Sequence, residues 1–296
     1  MLTLDEAFAK FKSRQELTEP EQADVSRRHN EVRDVVAGGL RVERDFLSGS
    51  YPRWTKTRPL KDVDIFCALH EDERDYRRRH PRAILERVEE ILVPVYGQDH
   101  VKIDRMAVTV DFGVPVSKDD ETDDKVMSID LVPAFPKDGH YEIPDALLGT
   151  WIETDPEIHA QLAVDAHEGY QREWKPLVRM VKKWNRHQGR PVTPSFLLEV
   201  MALELLVPPF SGGYPYELKG FFASAADRIH DVWPDPAGLG PAVSSGMTAA
   251  EKDAARRALR DAEATATQAI LLARQGKTGE ALRTWRALFG PHFPLS

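Results

Sequence analysis

LSGSYPRWTKTRPLKDVDIFCAL, residues 47–69, ends in an apolar strand that carries two carboxylates, Asp62 and Asp64. Residues two apart on a strand point to the same face, so these two side chains can bind one ion together. A charged side chain within a buried strand is unfavourable unless it is paired or bound to a metal. The pattern predicts two metal-binding carboxylates. The alternative is a polar strand edge that forms salt bridges with Lys61 or Arg58.

A Gly-Ser turn precedes this strand in the same stretch. Gly49 has no side chain and lets the backbone approach a ligand closely, and Ser50 adds a hydroxyl beside backbone amides. Amides and a hydroxyl in a turn suit phosphate oxygens. A phosphate-binding turn next to paired carboxylates is the apparatus of nucleotidyl transfer, in which metal ions neutralise a triphosphate.

A third carboxylate lies in a similar setting further along the chain. Asp130 occupies the middle of VMSIDLVP, residues 126–133, which is typical of another buried strand. Two divalent ions about 4 Å apart usually need three or more carboxylates. The sequence therefore predicts that Asp62, Asp64 and Asp130 are the catalytic and metal-binding residues.

Asp111 competes with Asp130 for this role. It ends a short apolar run, residues 108–112, just before Gly113, where exposure of a carboxylate costs little. We therefore rank it second. The acidic run at residues 119–124 is predicted to be a solvated connection between two strands.

Composition places the chain among globular proteins. It has 296 residues, 42% of them hydrophobic and 30% charged, which suits one large or two modest domains. No apolar run has the length of a membrane span, and the acidic, amphipathic first residues are unlike a signal peptide. The single cysteine, Cys67, cannot form an internal disulfide. We therefore expect a cytoplasmic protein with no membrane partner.

The charge balance bears on the choice of partner. Formal net charge is −8 at pH 7, whereas proteins that hold polynucleotides without base readout usually carry a basic excess. The arginine triplet at residues 77–79 is interleaved with acidic residues and is typical of a solvated face. The ten histidines show no zinc-binding spacing. The sequence predicts free nucleotides, and no polynucleotide, as partners.

Hydrophobic periodicity divides the chain near residue 150. Before it, the patterns predict a helix within residues 20–46, a helix after Pro81 and strands near 101–114 and 126–134, which together make an α/β (α+β) unit with an antiparallel or mixed sheet. After it, strand signals nearly stop and helical signals dominate. We predict a core domain at residues 1–150 and a helical domain at 151–296, with helices near 174–184, 193–206, 247–273 and 276–288.

Several motifs together resemble one known family. Gly-Ser, eleven residues and Asp-Val-Asp are followed by IDLVPAF, then by KPLVRMVKKWNRHQGRPVTPSFLLEVMALE at 175–204 and WRALFGPHFP at 285–294. This set resembles the cGAS/DncV-like nucleotidyltransferases, the CD-NTases of bacterial CBASS anti-phage defence. The Asp motif alone is shared by poly(A), CCA-adding and aminoglycoside nucleotidyltransferases. The combination is far more specific, and it spans nearly the whole chain.

The resemblance implies a fold and further site residues. It implies a DNA polymerase β-like core with a mixed sheet, a C-terminal lobe like that of 2′-5′-oligoadenylate synthetase, and an N-terminal helix that packs across both lobes. By resemblance, Lys182 and Ser195 contact the donor triphosphate, and Phe196 stacks on a base where many relatives have tyrosine. The residues alone leave other interpretations open. Ser195 also suits a helix start, where amides favour an anion, and Phe196 also suits core packing.

The resemblance also implies an activity. We expect a synthase that condenses ATP and other NTPs into a cyclic di- or trinucleotide second messenger, with two Mg²⁺ ions or Mn²⁺ in their place. A regulatory partner, HORMA-like or ubiquitin-transfer-like, is known in the family. Two other hypotheses stay open. One is transfer of a nucleotide to a tRNA, a protein or a small molecule, and the other is an inactive module that senses nucleotides.

Overall fold

The computed structural model describes residues 2–58, 60, 62–113, 128–210 and 212–296. Backbone contacts divide the chain into two compact units. The sheet unit comprises Leu17–Trp54 and Pro59–His159, and the helical unit comprises Met1–Glu16, Thr55–Arg58 and Ala160–Ser296. The short segment Thr55–Arg58 therefore belongs with the helices, although strands flank it in the sequence. The predicted domain boundary near residue 150 stays a prediction.

The strands of the sheet unit form one mixed sheet, as predicted. In chain order they are β1 (Val42–Ser48), β2 (Asp62–Leu69), β3 (Val101–Ile103), β4 (Val108–Asp111), β5 (Ser128–Lys137), β6 (His140–Asp145) and β7 (Thr150–Thr154). The sheet order is β1-β2-β5-β4-β3, and β6 joins β5 to β7. β2 and β5 run parallel, while the other pairs are antiparallel. The parallel pair is important because it carries the predicted carboxylates.

The described chain also contains nine α-helices. They are α1 (Leu4–Arg14), α2 (Glu19–Ala37), α3 (Arg82–Tyr96), α4 (Pro156–Gly169), α5 (Trp174–His187), α6 (Phe196–Leu205), α7 (Tyr214–Arg228), α8 (Ala249–Arg274) and α9 (Thr278–Phe289), with short 3-10 helices at Glu71–Arg78 and Val243–Gly246. Reciprocal capping boxes start three of them, α1, α2 and α8. Such a box satisfies backbone amides that a helix start otherwise leaves without partners.

The core of the sheet unit explains which way the carboxylates point. On β2, Val63, Ile65 and Cys67 are at most 1% exposed and pack with apolar residues of α2 and α3. Because side chains alternate along a strand, Asp62 and Asp64 project to the opposite face. Burial of the apolar face therefore fixes the orientation of the two carboxylates.

The helical unit has its own core, built largely from aromatic side chains. Trp174 and Trp184 of α5 are each 1% exposed, and Trp285 of α9 is fully buried. Phe8 of α1 packs edge-on against Trp285, with ring centroids 5.1 Å apart. α1 thus belongs to the helical unit through direct ring contacts, and these three tryptophans are core residues.

Three features of the fold differ from the sequence predictions. The helix predicted within 20–46 ends at Ala37, and the strand β1 follows. Two strands, β6 and β7, were not predicted at all. α6 starts at Phe196, three residues after the start predicted near 193, so Ser195 takes the N-cap position. The acidic run at 119–124 and the predicted strand residues 126 and 127 lie outside the described residues.

Among the helices described, none is long and apolar enough to cross a membrane.

Candidate active site

The three predicted carboxylates lie on one face of the parallel strand pair. Asp64 on β2 and Asp130 on β5 are register partners, and Asp62 is the partner of Ser128. Asp62 and Asp64 share a face because they are two positions apart, and Asp130 shares it because side-by-side residues on adjacent strands point the same way. The sheet thus brings together residues that are more than sixty positions apart in the sequence.

Asp64 and Asp130 are half-buried, whereas Asp62 is exposed. The Thr109 hydroxyl on β4 donates a hydrogen bond of 2.5 Å to Asp130 Oδ1. Burial raises the pKa of Asp130 above its ordinary value, the Thr109 hydrogen bond opposes this rise, and the charges of Asp62 and Asp104 add to it. Asp130 is therefore a carboxylate that holds its proton more tightly than an exposed one.

The salt-bridge alternative with Lys61 cannot be followed here, because Lys61 lies outside the described residues. Within the part of the chain that is described, neither Asp62 nor Asp130 forms an ion pair with a basic side chain. The charge of Asp62 is close enough to Asp130 to raise the pKa of Asp130, and among the described side chains no arginine or lysine pairs with either. Such a cluster suits a divalent cation, which prefers carboxylate oxygens.

Asp111 shares this face but has a different local role. It is the register partner of Ser128 on β5. Its side chain is exposed, and its Oδ1 accepts a hydrogen bond of 2.8 Å from the Gly113 amide. Asp111 thus caps the end of its own strand.

The Gly-Ser turn lies directly against one carboxylate. Gly49 has a φ of +64°, a conformation that side chains other than glycine rarely adopt. A Cβ atom placed on Gly49 would lie 2.6 Å from Asp64 Cγ and closer still to Oδ2. Both the backbone conformation and the available space therefore require glycine. The predicted phosphate-binding turn and a predicted metal ligand are in contact.

Substitution of Gly49 by alanine is expected to damage the site as well as the fold. Gly139, in the turn between β5 and β6, is a matched control, because its φ is +88° and nothing lies within 4 Å of a Cβ placed there. Both Gly→Ala variants should lose about 1–2 kcal/mol through left-handed strain. Only Gly49→Ala should also displace Asp64 and lose nucleotidyl transfer. Unfolding curves and product yields measure the two effects, and equal activity of the two variants would contradict the assigned contact.

Carboxylate oxygens are suitable ligands for a divalent metal ion, but the three side chains do not converge on a single position. Among the described residues, no group of three or more His, Cys, Asp or Glu side chains is close enough together to hold one ion. The shared face and the raised pKa of Asp130 still fit a divalent cation. Asp62, Asp64 and Asp130 are the residues of this face that would hold it.

In the helical unit, Lys182 is buried and already paired. Its Nζ lies 2.8 Å from Glu199 Oε1, and the Thr55 hydroxyl donates a hydrogen bond of 2.7 Å to Glu199 Oε2. Glu199 is 2% exposed and belongs to the first turn of α6. The sequence interpretation missed Glu199. The available signal was a lone acidic residue in the apolar run 196–203.

Ser195 and Phe196 differ in exposure. Ser195 is exposed at the start of α6, where its hydroxyl makes no capping hydrogen bond and its carbonyl accepts the Leu198 amide at 3.2 Å. Phe196 is half-buried and packs against the core of the helical unit. The structure thus leaves the Ser195 hydroxyl at the surface, and it supports the core-packing interpretation of Phe196.

The mixed sheet and the carboxylates on one of its faces agree with the fold predicted for a polymerase β-like nucleotidyltransferase. Residues 2–166 match the family model of the Second Messenger Oligonucleotide or Dinucleotide Synthetase domain, which is more than half of the chain. The chain belongs to this family. It is therefore a nucleotidyltransferase that makes an oligonucleotide second messenger, which confirms the resemblance noted from the sequence.

Individual relatives agree with the family assignment. A cyclic AMP-AMP-AMP synthase of Acinetobacter sp. (strain ATCC 27244 / 9458) is 27% identical over 303 residues, covering 92% of this chain and 80% of that protein. CdnC of E. coli MS115-1 has a similar fold both with ATP (TM-score 0.73, 20% identity) and in complex with HORMA-deltaN (0.71, 21%), each covering 98% of both chains. The Bradyrhizobium diazoefficiens CD-NTase CdnG in complex with GTP also has a similar fold, with a TM-score of 0.72 at 16% identity. The match covers 97% of this chain and 96% of that chain.

Proposed function

We propose that the second messenger is a cyclic di- or trinucleotide made from ATP and other NTPs, and that it serves anti-phage signalling. One observation carries the proposal: the register of β2 and β5 places Asp62, Asp64 and Asp130 on one face, with the Gly49 turn against Asp64. The curated Acinetobacter relative is a cyclic AMP-AMP-AMP synthase. Adenine nucleotides are therefore the first substrates to test.

Asp62, Asp64 and Asp130 would hold two Mg²⁺ ions, with Mn²⁺ as a substitute. Divalent ions in such a site make an acceptor hydroxyl more acidic and neutralise the triphosphate and the leaving pyrophosphate. Asp130 would be a metal ligand and also the candidate base that receives the proton of the acceptor hydroxyl. Asp62 and Asp64 would hold the ion that neutralises the triphosphate of the donor nucleotide.

Other residues position the triphosphate and the base. The Gly49–Ser50 turn offers backbone amides and a hydroxyl to phosphate oxygens. Lys182 contributes a charged donor, and Ser195 contributes an exposed hydroxyl at a helix start, where the positive end of the helix dipole favours an anion. Phe196 packs against the core but is only half-buried, and its exposed part would supply a stacking face for a base. These roles rest on the family resemblance together with the observed positions.

Removal of the lysine should weaken nucleotide binding more than removal of the serine. Lys182→Ala deletes a charge-assisted contact of about 1.5–3 kcal/mol, so we expect the apparent KM for the donor to rise at least tenfold. Ser195→Ala should raise it less, because the helix-start amides remain. Calorimetric titration with ATP and Ca²⁺, which supports binding without chemistry, measures the corresponding rise in Kd for each variant. Unchanged affinity in both variants would contradict the assignment.

A regulatory partner is the second element of the proposal. The E. coli CdnC relative has been determined in complex with HORMA-deltaN. We infer that a HORMA-like protein is the first partner to test for this chain, and a ubiquitin-transfer-like protein the second. Co-purification followed by an activity assay with and without each partner distinguishes the two.

The experiment that tests the proposed function uses labelled NTPs with Mg²⁺ or Mn²⁺ at moderate salt. Label that resists phosphatase is expected with nucleotides alone. Duplex DNA, duplex RNA or tRNA should not raise the yield, because the chain has a net charge of −8 and phosphate contacts weaken steeply with salt. Label on tRNA, a protein or a small molecule would favour transfer to another acceptor. Absence of any transfer by the chain with its partner would favour the nucleotide-sensing module.

A further inference from the structure

Glu199 is a buried carboxylate that the proposed chemistry does not yet use. It lies in α6 among apolar residues and is 2% exposed. A carboxylate in such a place destabilises the fold unless its charge and both of its oxygens are satisfied. Each oxygen does have a partner, and the two partners come from different segments of the chain.

The first partner is the predicted triphosphate ligand. Lys182 of α5 lies 2.8 Å from Glu199 Oε1, and both side chains are at least nine-tenths buried. A lysine ammonium has three donors, so this pair engages one and leaves two in a fixed direction. The pair thus removes much of the rotamer freedom of a long, flexible side chain.

The second partner belongs to the segment that follows the phosphate-binding turn. The Thr55 hydroxyl is 2.7 Å from Glu199 Oε2, and Thr55 is fully buried. Thr55 begins Thr55–Arg58, the part of the β1–β2 connection that belongs to the helical unit. Two side chains of α5 also donate hydrogen bonds to this segment. Lys183 Nζ donates to the Arg58 carbonyl at 3.0 Å, and Arg186 Nη1 donates to the Thr57 hydroxyl at 3.2 Å.

We propose that Glu199 is a positioning residue for nucleotidyl transfer. One oxygen orients the Lys182 ammonium and the other anchors Thr55, so a single carboxylate fixes the proposed triphosphate ligand and the segment that follows the Gly49–Ser50 turn in the sequence. Groups held in place before the substrate binds lower the cost of reaching the reactive geometry. The inference rests on the proposed role of Lys182.

The test compares two conservative variants with a matched control. Glu199→Gln keeps the shape of the side chain and removes the ion pair with Lys182. Thr55→Val keeps the pair and removes the second hydrogen bond, and Thr55→Ser restores a hydroxyl. Glu204→Gln is the control, since it makes the same change on the same helix in an exposed ion pair with Arg228, 3.0 Å long.

We expect kcat/KM for ATP to fall about tenfold in Glu199→Gln and about fivefold in Thr55→Val, the scales of a charged and a neutral hydrogen bond. Thr55→Ser should recover to within about twofold of wild type, and Glu204→Gln should match wild type. Combined with Lys182→Ala, Glu199→Gln should cause little further loss, because residues that act as a unit are not additive.

A purely structural role gives a different result. In that case Glu199→Gln and Thr55→Val lower the unfolding temperature but leave kcat and KM unchanged below it, and this outcome would overturn the proposal. Full multiplicative losses in the double variant would also overturn it. If wild type makes no oligonucleotide, the proposed function fails on its own. ATP binding in Ca²⁺ then tests Glu199 separately, and equal affinity in wild type and Glu199→Gln would overturn the inference.

Discussion

Asp64→Asn is expected to abolish product formation while the protein stays folded. The variant keeps the size of the side chain but removes the charge that would hold a divalent ion, so we expect turnover to fall on the order of 10²–10³-fold or more. Stability in metal-free buffer should hold or rise slightly, because one of several neighbouring negative charges is gone. Turnover and unfolding temperature are measured on the same preparation.

Asp111→Asn is the matched control for that variant. Asp111 lies on the same face of the sheet but is exposed and bound to the Gly113 amide. We expect it to keep most of the wild-type turnover. Wild-type turnover in Asp64→Asn with metal present would show that the carboxylate assignment is wrong. Loss in Asp111→Asn with activity retained in Asp130→Asn would move the third carboxylate to Asp111.

Asp130→Asn is expected to lose turnover to a similar extent and to stabilise the metal-free protein at neutral pH. The folded-state pKa of Asp130 is raised above its ordinary value of 3.8, mainly by burial. The folded state therefore binds this proton more tightly than the unfolded state, and the stability contributed by Asp130 falls as pH rises from 3.8 through the folded-state pKa. Above that pKa, the ionised carboxylate is a net cost to the fold, which the substitution removes.

At neutral pH and with chelator present, Tm should rise by about 2–4 °C for each kcal/mol that the substitution adds to the free energy of unfolding. The difference from wild type should shrink as the pH falls towards 3.8, where the wild-type carboxyl is protonated in both states. The amide oxygen introduced by Asp130→Asn can still accept the Thr109 hydrogen bond, so that contact does not confuse the comparison. A gain that is constant over this pH range, or a loss of stability at neutral pH, would contradict the assigned electrostatics.

The sequence could predict the sheet face that carries the carboxylates because alternation along a strand is local. Asp62 and Asp64 alternate with Val63 and Ile65, and burial of the apolar residues leaves only one direction for the acids. The presence of Asp130 on that face could be inferred from its similar setting. Its pairing opposite Asp64 required the parallel register of β2 and β5, which no local pattern encodes.

The missed strand β1 has a physical explanation. It lies at an edge of the sheet, and its sequence VERDFLS carries charged side chains on exposed positions. Charged residues are common on edge strands, where they prevent pairing with other chains. They also erase the alternation that identifies a half-buried strand, so the segment resembled the end of the preceding helix.

Glu199 illustrates what a pattern cannot show. In the sequence, Glu199 is only an acidic residue within an apolar helix. Its role depends on contacts with Lys182 and Thr55, which are 17 and 144 positions away in the sequence. The same contacts revise the picture of Lys182. The family resemblance suggested a lysine available for phosphate, whereas the structure shows a lysine that is already paired with a buried carboxylate.

The most direct test of the central claim is the mass of the product that wild type makes from NTPs and Mg²⁺ after phosphatase treatment. A cyclic di- or trinucleotide lacks terminal phosphates, survives the treatment and is one water lighter than the linear form that carries a single terminal phosphate. We predict this cyclic mass for wild type, with the regulatory partner present if it is needed, and none for Asp64→Asn. Only linear or tRNA-linked products, or the same cyclic product from Asp64→Asn, would contradict the account.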